Sequence, residues 1–308
     1  MKKRYQSFNQ AMQMMYGHKV YKISLDGGMT CPNRDGTIGT GGCIFCDGGS
    51  GAYAQKQMHS LSEQLDAAKA RIQKKAGNNC AYMAYFQSYT NTYAPVEYLR
   101  KLFMPVLERE DICGISIATR PDCLSLPVLD LLQEMQQIKP VFVELGLQTI
   151  HARTAEYIRR GYPLEVYDHA MKELQRIGVH TVVHMILGLP GESKADMLKT
   201  AAYIADSGAE GIKLQLLHVL EGTDLAAEYR EGKFETLDMQ TYIEILADCI
   251  RILPPRMIIH RLTGDGEKSK LVAPLWSSDK KKVLNTITAE FEKRDVQQGQ
   301  YYIREEEI

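Results

Sequence analysis

The segment that decides the reading runs Asp26-Gly27-Gly28-Met29-Thr30-Cys31-Pro32-Asn33-Arg34-Asp35-Gly36, then Gly39-Thr40-Gly41-Gly42-Cys43-Ile44-Phe45-Cys46-Asp47, and stays glycine-rich to Gly51. Its three cysteines have the spacing C-x11-C-x2-C. Cysteine thiolates are the usual holders of iron–sulfur cubes. Three of them suit three irons of a [4Fe–4S] cluster and leave the fourth iron for an external ligand. The Cys43/Cys46 pair makes a tight turn, and Cys31 returns from a longer loop. Glycines allow the backbone to approach a metal centre closely. Phe45 can offer its ring face to a nucleobase. Two other readings stay open on the residues alone. A structural zinc normally takes four ligands, often as two C-x2-C pairs; the second pair is absent, and His59 is the suggested fourth ligand. The cysteines could also be incidental.

Outward from this loop, short apolar runs alternate with amphipathic stretches. Strands are expected at Val20–Leu25, Ala81–Phe86, Gly114–Thr119, Val141–Leu147, Thr181–Leu187 and Ile212–Leu217. Helical patterns fall near 59–75, 95–109, 125–137, 151–177, 192–207 and 238–252. A strand-then-helix series means parallel strands with crossover helices. A doubly wound sheet and a barrel both fit. The notable polar residues cluster at or beyond strand C-termini, where barrel sites sit, so the expected fold is α/β, an incomplete (βα)6 barrel. An N-terminal helix over 1–17 precedes it. Ser193 or Glu192 is expected to open one helix, and Thr236 or Asp238 another. Pro254-Pro255 ends the latter. Residues 1–253 form the barrel with its loop at 26–51. Residues 254–308 form a small α/β extension that covers the barrel opening, with a strand at Met257–Arg261 and a helix near 279–294.

Of the 308 residues, 44% are apolar and 24% charged, as in ordinary globular chains. A net charge of −1 gives no global support to nucleic-acid binding. No apolar run is long enough for a transmembrane helix. The basic Met1-Lys2-Lys3-Arg4-Tyr5 lacks the apolar stretch of a signal peptide. Seven unevenly spaced cysteines suggest metal or catalytic chemistry in a cytoplasmic protein, not a disulfide framework.

The chain resembles the radical S-adenosylmethionine (SAM) superfamily, in the branch with a lengthened cysteine loop. That branch includes the catalytic Elongator subunit and the YtqA/YhcC-like bacterial proteins. The likeness is carried by Ser24-Leu25-Asp26-Gly27-Gly28, Cys31-Pro32-Asn33-Arg34-Asp35-Gly36, Cys43-Ile44-Phe45-Cys46 and His260-Arg261-Leu262-Thr263-Gly264-Asp265. It extends over nearly the whole chain. The likeness to the Elongator subunit stops at the end of the barrel, since no acetyltransferase-like domain follows. The resemblance implies a [4Fe–4S] cluster on Cys31, Cys43 and Cys46 that cleaves SAM to a 5′-deoxyadenosyl radical, with a flavodoxin or ferredoxin as reductant. It also points to tRNA as substrate, at the C5 side chain of a wobble uridine. Alternatives are a small metabolite or peptide substrate, or a non-catalytic iron–sulfur or zinc scaffold.

The resemblance also suggests a SAM pocket. Many relatives have Gly-Gly-Glu after the second strand; here that glutamate is missing, and Gln87, Ser88 and Thr90 offer oxygens instead. Gln148 maps to a ribose or substrate-facing position. Arg160 maps to a partner of the SAM carboxylate, for which a guanidinium fork is suited. His184-Met185-Ile186-Leu187-Gly188-Leu189-Pro190-Gly191-Glu192 resembles the adenine-contacting segment, with His184 replacing a glycine. Arg120 and Asp122 fall at the same rim. Cys80, Cys113 and Cys249 read as small packing residues. His260 and Asp265 are the expected substrate-side acid–base or hydrogen-bonding groups. Lys280-Lys281-Lys282, with Lys268, Lys270, Arg261, Lys293 and Arg294, makes the C-terminal region locally basic.

Overall fold

The strand segments are apolar at most positions, as strands covered on both faces must be. The computed structural model describes residues 4–48, 60–76, 80–264 and 266–303. Six βα repeats form from β1 (Lys19–Leu25), α2 (Leu61–Ala76), β2 (Cys80–Phe86), α3 (Val96–Glu108), β3 (Ile112–Thr119), α4 (Leu126–Ile138), β4 (Val141–Gln148), α5 (Ala152–Tyr157), α6 (Leu164–Arg176), β5 (His180–Leu187), α7 (Lys194–Asp206), β6 (Gly211–Leu216) and α9 (Met239–Ile252). Before them lies α1 (Phe8–Tyr16), and among and after them come β7 (Val219–Leu220), α8 (Asp224–Arg230), β8 (Ile258–Arg261), β9 (Leu271–Ala273) and α10 (Lys280–Lys293).

The main sheet has the order β1-β2-β3-β4-β5-β6-β8, with every neighbouring pair parallel. It is a curled half-barrel. The expected six strands are therefore seven. The strand at Ile258–Arg261 joins the same sheet, pairing with β6, because its apolar Ile259 completes the core beside Ile212. The sheet thus continues across residues 253 and 254. The stretch 151–177 is two helices, not one. Arg159 and Gly161 adopt positive φ values of 57° and 81°, and Pro163 follows, so the helix cannot continue. Capping settles two starts: Ser193 accepts from the Asp196 N–H in a capping box, and Asp238 accepts from the Thr241 N–H.

Alternate strand residues turn into the barrel, and they form layers. The floor is apolar: Ala11 and Met12 of α1 pack with Val20, Met83, Phe142 and Val182. Here α1 contacts both β1 and β8, the two free sheet edges. Ser7 bridges to Ile259, whose N–H donates to the Gln6 carbonyl at 2.8 Å. One residue pair further along each strand the inward side chains become polar. Above them the barrel opens into a cavity. Over this upper end β7 and β9 pair antiparallel. Among the described residues no helix is long and apolar enough to cross a membrane.

Candidate active site

The upper cavity, about 310 Å³, lies at the C-terminal ends of the strands, the end where βα barrels carry their chemistry. Cys31, Cys43 and Cys46 line it together. The loop that carries them is held by its own backbone. The N–H groups of Arg34 and Asp35 donate to the Cys31 carbonyl at 2.8 and 3.2 Å, and that of Cys46 to the Cys43 carbonyl at 2.9 Å. Gly42 has φ of 74°, and a Cβ there would lie 2.8 Å from the Arg34 guanidinium, so this turn needs glycine. Ile44 anchors the turn in a small core with Ile158, Leu189 and Leu225. Its N–H donates to the Ile158 carbonyl and its carbonyl accepts from the Leu225 N–H, at 3.2 and 3.1 Å.

The donor set fits an iron–sulfur cluster. Three thiols face one space, and Arg34 and Arg120 lie within electrostatic reach of them, Arg34 of Cys46 and Cys31 and Arg120 of Cys31 and Cys43. Those cations offset the negative charge of thiolate ligands. Burial pushes the Cys43 thiol up to about 11, with Cys46 adding to the shift; a bound metal deprotonates such a thiol outright. Among the described residues no three His, Cys, Asp or Glu side chains converge tightly enough for a single ion. His59, the fourth ligand of the zinc alternative, lies outside the described residues.

Most of the expected SAM-pocket residues meet in this cavity. Phe45, Gln87, Gln148, Arg160 and His184 line it. Gln148 does so with φ of 69° at a register shift in β4, its Oε1 buried and without a partner among the described residues. Left-handed backbone at a non-glycine residue is strained and collects at functional sites. Ser88 is buried but is not among the cavity-lining residues, and neither is Gly188. Gly188 instead meets a steric demand: with φ of 88°, a Cβ would come within 2.9 Å of the Leu237 side chain. Arg160 is more engaged than its sequence suggests. Its Nε donates to the Tyr162 carbonyl at 3.1 Å, and its Nη1 to the carbonyls of Leu147 and Thr149 at 3.2 and 2.5 Å. Two of the three guanidinium nitrogens are therefore held by backbone, and Nη2 is the group left for a ligand. Arg120 faces the cavity with Asp122 at 2.7 Å.

His260 departs from expectation. It does not reach the cavity rim with Arg261, Gly264 and Gly266, which do line it. Its ring turns into a lower chamber, against Phe8 at 4.9 Å between centroids; the register shift between β6 and β8 skips it, so that His260 and Arg261 both face the barrel interior. Asp265 lies outside the described residues.

The polar layer at the base of the cavity was, apart from His184, not anticipated. Glu144 is fully buried and accepts from His184 Nε2 at 2.7 Å, Ser116 Oγ at 2.7 Å, and the ammonium groups of Lys22 and Lys213. Lys213 also donates to Tyr85 Oη at 2.8 Å. Burial works to raise the Glu144 carboxyl, but Lys213, Lys22 and His184 hold it well below the ordinary range. Burial and then Lys213 lower His184 to about 4, so its ring is neutral, with Nε2–H on Glu144 and Nδ1 as an acceptor. Charged residues in the middle of apolar strands, at Lys22, Glu144 and Lys213, were the available signal.

This fold, with three cysteines at its mouth, defines an iron–sulfur enzyme class, and the chain belongs to the radical SAM superfamily: the family model of that description matches residues 34–204, and a Radical_SAM C-terminal domain matches residues 209–293. Members of the superfamily use a [4Fe–4S] cluster and SAM. The chain is 44% identical to the Bacillus subtilis protein YtqA over 306 residues, covering 99% of this chain and 95% of the other. It is 40% identical to Protein YhcC of Escherichia coli over 266 residues, 86% of this chain and 85% of that protein. The Methanocaldococcus jannaschii tRNA uridine(34) acetyltransferase is 27% identical over 155 residues, 49% of this chain and 28% of that protein. Among solved structures, archaeal Methanocaldococcus infernus Elp3 shares the fold with a TM-score of 0.68 and 17% identity. The match covers 91% of this chain and 64%, less than two thirds, of that one.

Proposed function

We propose that this radical SAM enzyme modifies tRNA, at the C5 side chain of a wobble uridine, in the cytoplasm and with a flavodoxin or ferredoxin as reductant. The observation that carries the radical chemistry is the facing of Cys31, Cys43 and Cys46 onto the same cavity as Gln148, Arg160 and His184. The tRNA reading is supported by the weaker likeness to the tRNA uridine(34) acetyltransferase. When bound, the cluster and SAM supply a one-electron cleavage that yields a 5′-deoxyadenosyl radical. The chain's own residues hold and shield. Arg160 Nη2 receives the SAM carboxylate. Gln87, with Ser88 behind it, serves the methionyl amine. Phe45 faces the adenine. Gln148 Oε1 and neutral His184 Nδ1 accept hydrogen bonds from ribose or substrate. Asp265 and the segment around it meet the substrate, and residues 254–308, which supply β8 as the last strand of the sheet, cover the open side of the barrel. A loop nucleotide is splayed enough to enter such a cavity.

Anaerobic reconstitution and mass spectrometry of nucleosides test this. The reconstituted protein should form 5′-deoxyadenosine from SAM. A deletion strain should lack one uridine-derived tRNA nucleoside present in its parent. Identical nucleoside profiles reject the tRNA substrate; no 5′-deoxyadenosine rejects the radical reading.

A further inference from the structure

At the end of β3 the run Arg120-Pro121-Asp122-Cys123 closes into a single tight turn. The Cys123 N–H donates to the Arg120 carbonyl at 3.1 Å. Asp122 folds back onto the guanidinium and accepts from its Nε and Nη2 at 2.9 and 2.7 Å. We propose that this pair sets the reduction potential of the iron–sulfur cluster: the Arg120 cation raises it, and the Asp122 carboxylate clamped to that cation holds it down.

Position is the first argument. Arg120 lines the cavity together with Cys31 and Cys43. A Cβ built at Gly161 would meet Asn33 Oδ1 at 2.9 Å and Arg120 Nη2 at 3.5 Å, so both side chains converge on the bare face of that glycine. The Asn33 amide nitrogen is in turn 3.7 Å from Cys43 Sγ. Arg120 thus comes close to a side chain that adjoins a cluster ligand. Burial is the second argument. Arg120 is 8% exposed, whereas Arg34, which also lies near the cysteines, is only part-buried. A buried charge is screened far less than one in water. Burial opposes the Arg120 charge, but Asp122 and, after it, Cys31 and Cys43 hold the guanidinium in its charged form. Third, the charge is fixed in place. The guanidinium lies over the Tyr162 ring at 5.1 Å, and the Tyr162 hydroxyl is anchored on the Gly146 carbonyl. A ring on one face and a bidentate carboxylate on the edge keep it from swinging away. Arg160 shows that backbone carbonyls suffice to hold a guanidinium in this wall; an aspartate at 122 adds a charge as well. Iron–sulfur potentials respond to the charge around the cluster. Reduction adds one electron, so a fixed cation favours the reduced form and a fixed anion opposes it.

This inference rests on Cys31, Cys43 and Cys46 holding the cluster, and its test separates the two. The reconstituted full-length protein is titrated anaerobically with a low-potential reductant, without SAM, and the reduced cluster is followed by electron paramagnetic resonance. Iron content is matched between samples. Each variant changes one charge, so the sign of the shift needs no count of the other charges nearby. Arg120→Gln should move the midpoint to more negative potential. Asp122→Asn, nearly the same in shape, should move it the opposite way. Arg120→Lys keeps the charge and should stay near wild type. Shifts of the same sign in Arg120→Gln and Asp122→Asn, as a merely structural pair would give, overturn the proposal, and so do unmoved midpoints or an Arg120→Lys midpoint equal to that of Arg120→Gln. Should Arg120→Gln take up no iron, the Asp122→Asn midpoint decides alone. A wild-type chain that takes up no iron rejects the cysteine ligands and this inference with them; a loaded cluster whose potential ignores both variants rejects this inference only.

Discussion

The side-chain amide of Asn33 donates a 2.6 Å hydrogen bond to the carbonyl of Arg159 while its nitrogen stands 3.7 Å from Cys43 Sγ. One residue therefore ties the cysteine loop to the turn that delivers Arg160. Asn33→Ala should leave that part-buried carbonyl without this donor, at about 1 kcal/mol. The expected result is faster loss of iron from the reconstituted protein to a chelator, with secondary structure intact. Iron release at the wild-type rate would show that the tie is dispensable.

Cys31→Ala, Cys43→Ala and Cys46→Ala should each abolish the broad visible absorption of the cluster and the formation of 5′-deoxyadenosine. Cys249→Ala, which alters a fully buried residue in the outer core, should retain both. Iron analysis and chromatography of the nucleoside distinguish the two groups. Full iron content in the triple variant would sink the ligand assignment.

Arg160 has two duties, and they separate. Arg160→Ala removes donors from the carbonyls of Tyr162, Leu147 and Thr149. It should lower stability by about 1–3 kcal/mol and weaken SAM by about ten-fold, since one free nitrogen remains to be lost. Urea unfolding and equilibrium SAM binding measure the two effects. A variant that loses stability alone would remove Arg160 from the SAM site.

Burial lowers Lys213 to about 7, against the opposing pull of Glu144. An unfolded lysine titrates near 10.4. Between pH 7 and 10 the unfolded chain thus keeps a proton that the folded chain has released, so this group's contribution to stability rises with pH. Wild type should gain on the order of 1–2 kcal/mol relative to Lys213→Met between pH 7 and 9, read from urea midpoints. Parallel pH profiles would contradict the lowered ammonium.

The sequence made the strands, most helices and the cysteine loop legible, because apolar period and cysteine spacing are local signals. What it hid depends on direction and on distant partners. Val20, Lys22 and Ser24 alternate along one strand, but only the closed barrel shows that Lys22 meets Glu144 from β4 and that Lys213 joins from β6. His260 looked like a rim residue because it adjoins Arg261; the register shift at β8 that leaves its ring lower, beside Phe8, has no local mark in the sequence. The break between α5 and α6 was masked by a helical pattern on both sides, although Gly161 and Pro163 marked it. Arg160 looked free because backbone carbonyls, its partners, leave no trace in a sequence.

The floor of the barrel has a consequence for synthesis. Gln6 N–H bonds the Gln298 side chain, Arg4 pairs with Asp295, and Ser7 reaches Ile259. Residues 4–7 therefore gain these partners only once residues 259–298 have been made. Closing so large a loop delays folding, and chaperones act on such waiting, partly exposed chains. The side of α1 that meets β8, with Phe8 against His260, is the surface left uncovered in the interval.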